Sequence, residues 1–445
     1  ALYGAGAAVT VKGGMGSGDV NARETVSVYE GLKSYQSNIN TKVSQDIDKI
    51  NKLGHKIHEL NQQISKIEAG GIETAMDLRD ERDLALDQLG ALAKISYKED
   101  YKGVVTVKLE DEYFVDELHT YEIGKKTDKL TGFITPYWPQ LSDTDRDIYV
   151  NVFDFNVDIS TALNSDVGEL KALIMSRGDH WADYSDIEGK GEQEYLDTTN
   201  LSVIIDMQAK LDQMVHNMIT AINDQLCPNV TGPVGVTYQD ANGNTVNLSD
   251  AKVLDTENCA RGSDGELPPR ELFVRAGIER YTEVTGSDGK TYYVYNEEDT
   301  SDTSYMYSLT SCGVNEELKK IETLFPHLKQ NGEVDQQLGE RLEALWNKDL
   351  VGLDPTDPDE CNIEEYYQKM IGGLATVGNV YQKKAENLAG SVLTIENNRQ
   401  QVIGVSSDEE LQNMIKFQNA YNASSRFMTV ISDMIEHIVT RLGNG

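Results

Sequence analysis

Apolar residues recurring at alternating gaps of three and four, near both ends of the chain, constrain this sequence more than any other feature. Toward the C-terminus, Met414, Phe417, Tyr421, Ser424, Met428, Ile431, Ile435, Ile438 and Leu442 follow one another in that spacing. The pattern repeats every seven residues and keeps one narrow stripe on one side of a helix. Ser407 and Glu410 stand at capping-box spacing, so the start of the helix is specified as well as its face. Toward the N-terminus, Ile50, Leu53, Ile57, Leu60, Ile64 and Ile67 form a second seam, with Leu32, Ile39 and Val43 in the same register and Asp46 interrupting it. A stripe this narrow is satisfied only by a partner helix. The C-terminal seam therefore reads as an assembly element, and the N-terminal seam as the spine of a rod.

The first long helix is expected over 22–68, closed by Gly70 and Gly71, and a second amphipathic helix over 73–93 with Leu78, Leu86, Leu89 and Leu92 inward. Together they predict a helical hairpin. The period then changes to two: Val105, Val107 and Leu109 alternate with polar residues, Tyr113, Phe114 and Val115 follow, and a loose meander extends to 149–155. Helical spacing returns at 167–175 and most strongly at 201–226. Between 227 and 309, Asn242 with Gly243 and Asp288 with Gly289 each separate two strand-like runs, because tight hairpin turns need residues that accept positive φ. Helix resumes near Glu316, and a Pro/Asp-rich linker at 354–360 precedes a helix carrying Ile363, Tyr367, Met370, Leu374, Val377, Tyr381, Leu388, Val392 and Ile395. The expected fold is α+β: an elongated, discontinuous long-helix bundle or coiled-coil rod with inserted β-rich domains. Its segments are 1–21 irregular, 22–100 helical hairpin, 101–163 β-rich, 164–227 helical, 228–312 inserted β domain, 313–403 returning helices and 404–445 terminal assembly helix.

Composition narrows the function classes. Net charge is −34, from 74 acidic and 40 basic residues, and no basic patch interrupts it, which argues against nucleic acid and anionic membranes as partners. An apolar share of 39% suits thin modules with modest cores. No apolar run approaches a bilayer span and no signal peptide is visible. Cys227, Cys259, Cys312 and Cys361 lack CxxC pairing and His at ligand spacing, which speaks against zinc, and the sequence fixes no disulfide among the central three.

Candidate chemistry is sparse. His55 and His58 with Glu59 depart from metallopeptidase order, and Ile57 between them lies on the seam, so they read as coiled-coil flank. Asp143, Asp145 and Asp147 begin like a calcium loop, but Ile148 replaces the required Gly and Asp154 stands where a bidentate Glu is needed. Asp354, Asp357, Asp359 and Glu360 alternate with Pro355 and Pro358 and read as a stiff turn. Arg177, Gly178 and Asp179 match an adhesion tripeptide of low specificity. Phosphate-loop, dinucleotide and nucleophile-elbow motifs are absent from the sequence, so no catalytic, cofactor or metal residue is assigned. Two alternatives place function between Cys227 and Leu309: an enzyme, disfavoured by the lack of His there, or an adhesin using the tyrosines of 292–295 and 305–307.

Short motifs between the seams carry a resemblance. Residues 60–64 (LNQQI) and 77–83 (DLRDERD), with GVVTV at 103–107 and VGELKAL at 167–173, resemble the flagellar hook-associated protein 1 family. Gly404, Val405, Asp408, Glu409, Glu410, Leu411, Ile415, Phe417, Gln418, Ala420, Tyr421, Ala423 and Ser424 are similar to the signature shared by hook, rod and hook-associated proteins. The resemblance implies a non-enzymatic structural protein of the bacterial flagellum, exported without a cleaved signal, that joins hook to filament. It implies as partners further copies in a ring, the hook protein, the next hook-associated protein or filament subunit, and an export chaperone on the C-terminal helix. The family begins with a further axial helix, and this chain starts after it, so the terminal seam is expected to be unpaired.

Overall fold

The computed structural model describes residues 22–71, 74–155, 167–241, 243–403 and 407–442, and the chain divides into two units, Ala1–Ile371 and Gly372–Gly445. The expected irregular segment 1–21 lies outside the described residues.

In the first unit, helix α1 (Ala22–Glu68) is the spine. Tyr29, Gln36, Val43, Ile50, Ile57 and Ile64, at intervals of seven, are each at most 2% exposed. A residue every seven positions drifts little around a helix, so one face stays covered along almost the whole length. After α1 the chain turns at Gly71, whose φ of +66° suits a residue without Cβ, into α2 (Met76–Leu92). Ala85, Leu86, Leu89 and Leu92 of α2 pack on α1, giving the expected hairpin.

Next come β1 (Ile95–Glu99), β2 (Val105–Leu109) and β3 (Glu112–Val115), an antiparallel sheet in that order. The alternation of β2 turns Val105, Val107 and Leu109 into the core beneath α1. There Phe114 lies so close to α1 that a Cβ at Gly54 would stand 2.6 Å from its ring, so this crossing requires glycine. A two-stranded ribbon follows, β4 (Gly124–Thr127) with β5 (Ile134–Tyr137). The meander expected as far as 155 is reduced to two isolated bridges, Tyr137 to Asn151 and Asp143 to Ile148, although Val152 and Phe153 still join the core.

Helices α3 (Glu169–Arg177), α4 (Glu192–Asp197) and α5 (Val203–Leu226) come next. Ser202 caps α5 by accepting from the Ile205 amide. Strands β6 (Asn229–Thr231), β7 (Thr237–Gln239), β8 (Thr245–Asn247), β9 (Lys252–Leu254), β10 (Phe273–Val274), β11 (Tyr281–Thr285), β12 (Thr291–Tyr295) and β13 (Gly313–Val314) follow. They form a four-stranded sheet in the order β11-β12-β9-β6 and the ribbons β7-β8 and β10-β13. Both expected hairpins form, β7 with β8 and β11 with β12, turning through Gly243 and Gly289 at φ +83° and +79°. Leu248, Val253 and Val294 form a small cluster with Val236 and Tyr238, whereas Met207, Leu211, Met214, Ile219, Ile222 and Leu226 of α5 pack with Leu254, Phe273 and Tyr281. All four cysteines are buried there and unpaired.

Beyond β13, helical content is limited to the short α6 (Glu316–Lys320), α7 (Leu338–Ala344) and single 3-10 turns until α8 (Ile363–Ile403). Ile363, Tyr366 and Met370 anchor the start of α8 in the first unit. The second unit comprises the rest of α8 and α9 (Ser407–Leu442).

Candidate assembly site

A helix has no spare backbone groups with which to bond a strand, because its own ladder uses them. A side-chain amide, with donor and acceptor side by side, can substitute for the missing strand. Helix α1 does this at three asparagines, eleven and ten residues apart, close to three turns and so on one side of the helix. Asn61 donates to the Val105 carbonyl (2.8 Å) and accepts from the Val105 amide (3.0 Å). Asn51 donates to the Ile123 carbonyl (3.0 Å) and accepts from the Ile123 amide (2.8 Å). Asn40 donates to the Gly132 carbonyl (3.0 Å) and accepts from the Ile134 amide (2.8 Å). The three β segments are thereby latched to the spine at fixed heights.

Three of the segments that carry the family resemblance, 60–64, 77–83 and 103–107, converge at the first latch. Arg82, almost wholly buried, donates to Asn61 Oδ1 (3.1 Å) and to the Gly103 carbonyl (2.6 Å). Arg79 grips Glu68 with two parallel bonds (2.8 and 2.7 Å) and reaches Glu99 (2.7 Å). The Arg79 hydrogen bonds, helped by the Ala75 amide, pull the Glu68 carboxyl down to about 2. Residues of LNQQI, DLRDERD and the 103–107 strand thus form one buried clasp joining α1, α2 and the first sheet. Sequence reasoning singled out these segments without seeing the clasp. The available signal was Asn recurring every three turns beside an apolar seam.

Of the N-terminal seam, Ile50, Leu53, Ile57, Leu60 and Ile64 are buried within the chain's own fold. Ile67 is 42% exposed: α1 ends one residue later and α2 starts only at Met76, so the seam outruns its cover. Asp46, the interruption, is buried and bonded to Lys42 (2.8 Å).

The C-terminal seam differs. Met414, Phe417, Tyr421 and Met428 are 61%, 70%, 75% and 66% exposed, Ser424 is exposed and Ile431 half-buried. The side chains of Ile435, Ile438 and Leu442, and of the Ser407–Glu410 capping pair, lie outside the described set. Leu374, Val377, Tyr381, Leu388, Val392 and Ile395 of α8 are also exposed. Isolated exposed apolar residues are ordinary, but a heptad row of large ones marks an interaction surface.

The remaining candidates have structural roles. Arg177 is buried, donating to Asn40 Oδ1 (2.6 Å) and the Ile134 carbonyl (2.9 Å), with Phe133 under its guanidinium. Burial holds its pKa down at about 10. Turned inward, it leaves the adhesion tripeptide without its cation. His180 lies between Asp179 (2.6 Å) and Asp186 (3.0 Å). His55 meets Glu122 (2.7 Å) and His58 meets Gln62 (2.9 Å). Asp143 caps a 3-10 turn, and Asp354 is buried against Lys210 (2.9 Å) and Thr356. Among the described residues no group of three or more His, Cys, Asp or Glu could hold a metal ion, and no helix is long and apolar enough to cross a membrane.

The geometry is that of a structural protein of long helices, with β segments latched to one of them and apolar heptad rows exposed on the last two. Comparison with known proteins gives the family. The profile described as "Flagellar hook-associated protein FlgK helical domain" matches residues 15–244, and that of the "Flagellar basal body rod FlgEFG protein C-terminal" matches 400–441. The chain belongs to the flagellar hook-associated protein family, whose members are structural proteins of the flagellum. It is 23% identical to flagellar hook-associated protein 1 of Bacillus subtilis (strain 168) over 438 residues, 94% of this chain and 69% of the relative. It also aligns with the structure of the flagellar hook junction protein FlgK from Burkholderia pseudomallei at 14% identity and TM-score 0.36, over 68% of this chain. The chain spans about half, 53%, of that solved chain.

Proposed function

We propose that this protein is a structural subunit joining the flagellar hook to the filament, and that its terminal helices complete their fold only in the assembly. The exposed heptad row of α9 is the observation that carries this reading. A lone helix with a wet apolar stripe is marginal in water. Covering each large seam residue is worth about 1.5–3 kcal/mol, so several buried together outweigh the ordering of one helix. Neighbouring copies supply that cover through head-to-side contacts, the heterologous geometry that extends a lattice. Partners on either side are the hook protein and the next hook-associated protein or filament subunit. Before assembly, an export chaperone covers the C-terminal helix, and the chain leaves the cell without a cleaved signal peptide. Neither nucleic acid nor membrane is a partner, in keeping with a net charge of −34.

The test replaces Phe417→Asp together with Tyr421→Asp, two exposed positions where charge leaves the isolated chain's core intact. The doubly substituted chain is expected to be missing from assembled flagella while its near-UV circular dichroism is unchanged. Incorporation at the normal level would overturn the reading.

A further inference from the structure

The clasp uses only part of the DLRDERD segment. Arg79 and Arg82 turn inward and Glu81 pairs with Lys56 of α1 (2.8 Å). Asp77, Asp80 and Asp83 are exposed, and no hydrogen bond or ion pair among the described residues engages them. They share the solvent side of α2 with two large apolar residues, Met76 (61% exposed) and Leu84 (55%). This is an acidic lane with apolar points, three positions or four apart.

Helix α1 carries its opposite. Lys49, Lys52 and Lys66 are exposed along the side away from the buried seam, and no ion pair among the described residues engages them. Lys56 lies on the same lane and has already found an acid, Glu81 of α2. Two acids stand on this lane, Glu59, bonded to Gln63 (3.2 Å), and Asp48, paired with Lys125 (2.7 Å), and Ile67 adds an exposed apolar residue at its end. In a chain of net charge −34, three lysines of one lane thus have no ion pair among the described residues.

We propose that the lysine lane of α1 in one copy docks on the aspartate lane of α2 in a second copy, with Ile67, Met76 and Leu84 inside the contact. The argument is charge complementarity between two lanes of the same hairpin, and the Lys56–Glu81 pair shows within one chain the contact that the lanes would repeat between chains. At physiological salt, repulsion between the acidic bodies is screened beyond about 8 Å, whereas opposed lanes in contact are not. The lanes set which sides of neighbouring copies face each other, and the terminal helices hold the copies together. The inference rests on the self-assembly reading but uses different residues.

The experiment uses the full chain at high concentration, an equal mixture of isotope-labelled and unlabelled protein, and zero-length carbodiimide coupling mapped by mass spectrometry. Amide links between Lys49 or Lys52 of one copy and Asp80 or Asp83 of another are expected, falling about tenfold when salt is raised to ~0.5 M. Lys49→Glu with Lys52→Glu, or Asp80→Lys with Asp83→Lys, should abolish them, and mixing the two reversed chains should restore coupling between the altered positions. All four sites are exposed, so folding is retained. Links that are absent in the parent chain, or indifferent to salt and charge reversal, would overturn the proposal. The same mapping on the chain with Phe417→Asp and Tyr421→Asp separates the two readings: lane links persisting there show the lanes acting without the terminal seam, and their loss from that chain alone contradicts independent lanes.

Discussion

Replacing Asn61→Ala tests the clasp at its centre. The substitution removes both bonds to Val105, at 2.8 and 3.0 Å, and the one received from Arg82 at 3.1 Å. Arg82 keeps the Gly103 carbonyl, so the main loss falls on the amide and carbonyl of Val105, a residue 2% exposed and out of reach of water. Stranding a buried polar group costs about 1–3 kcal/mol, so two such groups predict a loss of roughly 2–6 kcal/mol. Trp138, buried in the same core as Val105, reports the transition by fluorescence during urea unfolding of the full chain. The expected result is a lowered midpoint with unchanged steepness. Gln63→Ala, an exposed neighbour, should stay within about 0.5 kcal/mol of the parent. If Asn61→Ala cost no more than Gln63→Ala, the latch would be incidental and the reasoning wrong.

Two further outcomes follow from the same spine. Ile57→Ala, at a wholly buried seam position, should lower stability by about 2–5 kcal/mol in the same titration, whereas Ile67→Ala at the uncovered end should cost under about 1 kcal/mol. His180 is held protonated up to about 10, first by its bond to Asp179 and then by Asp186. A histidine whose folded pKa lies above its unfolded value stabilises fully below about pH 6.5 and loses that contribution as pH rises toward 10. The melting temperature should therefore fall across that window in the parent and fall less in His180→Gln.

The spine was legible because its signals agree. Heptad spacing, a glycine pair after Glu68 and a second amphipathic run require α1, its end and the hairpin, and the period of two in 105–109 requires a strand with one face inward. What attaches strand to helix was harder to read. Asn40, Asn51 and Asn61 look like ordinary polar residues of a helix surface until a strand edge arrives, and Arg177 looks like a surface cation until Asn40 and the Ile134 carbonyl enclose it. The region after β13 has short runs with little periodicity and is held by turns and isolated bridges. Ile67 shows the limit of periodicity itself: it keeps the register, but cover depends on where the next helix starts. The terminal row was visible as a stripe, and Met414, Phe417, Tyr421 and Met428 are exposed.

Amide hydrogen exchange over 411–432, compared between the free chain and assembled flagella, addresses the claim that the terminal helices finish folding in the assembly. Slow exchange in the assembly with rapid exchange in the free chain, and rapid exchange in the free Phe417→Asp, Tyr421→Asp chain, is the predicted pattern. Equal protection of this segment in the free and assembled parent chain would contradict it.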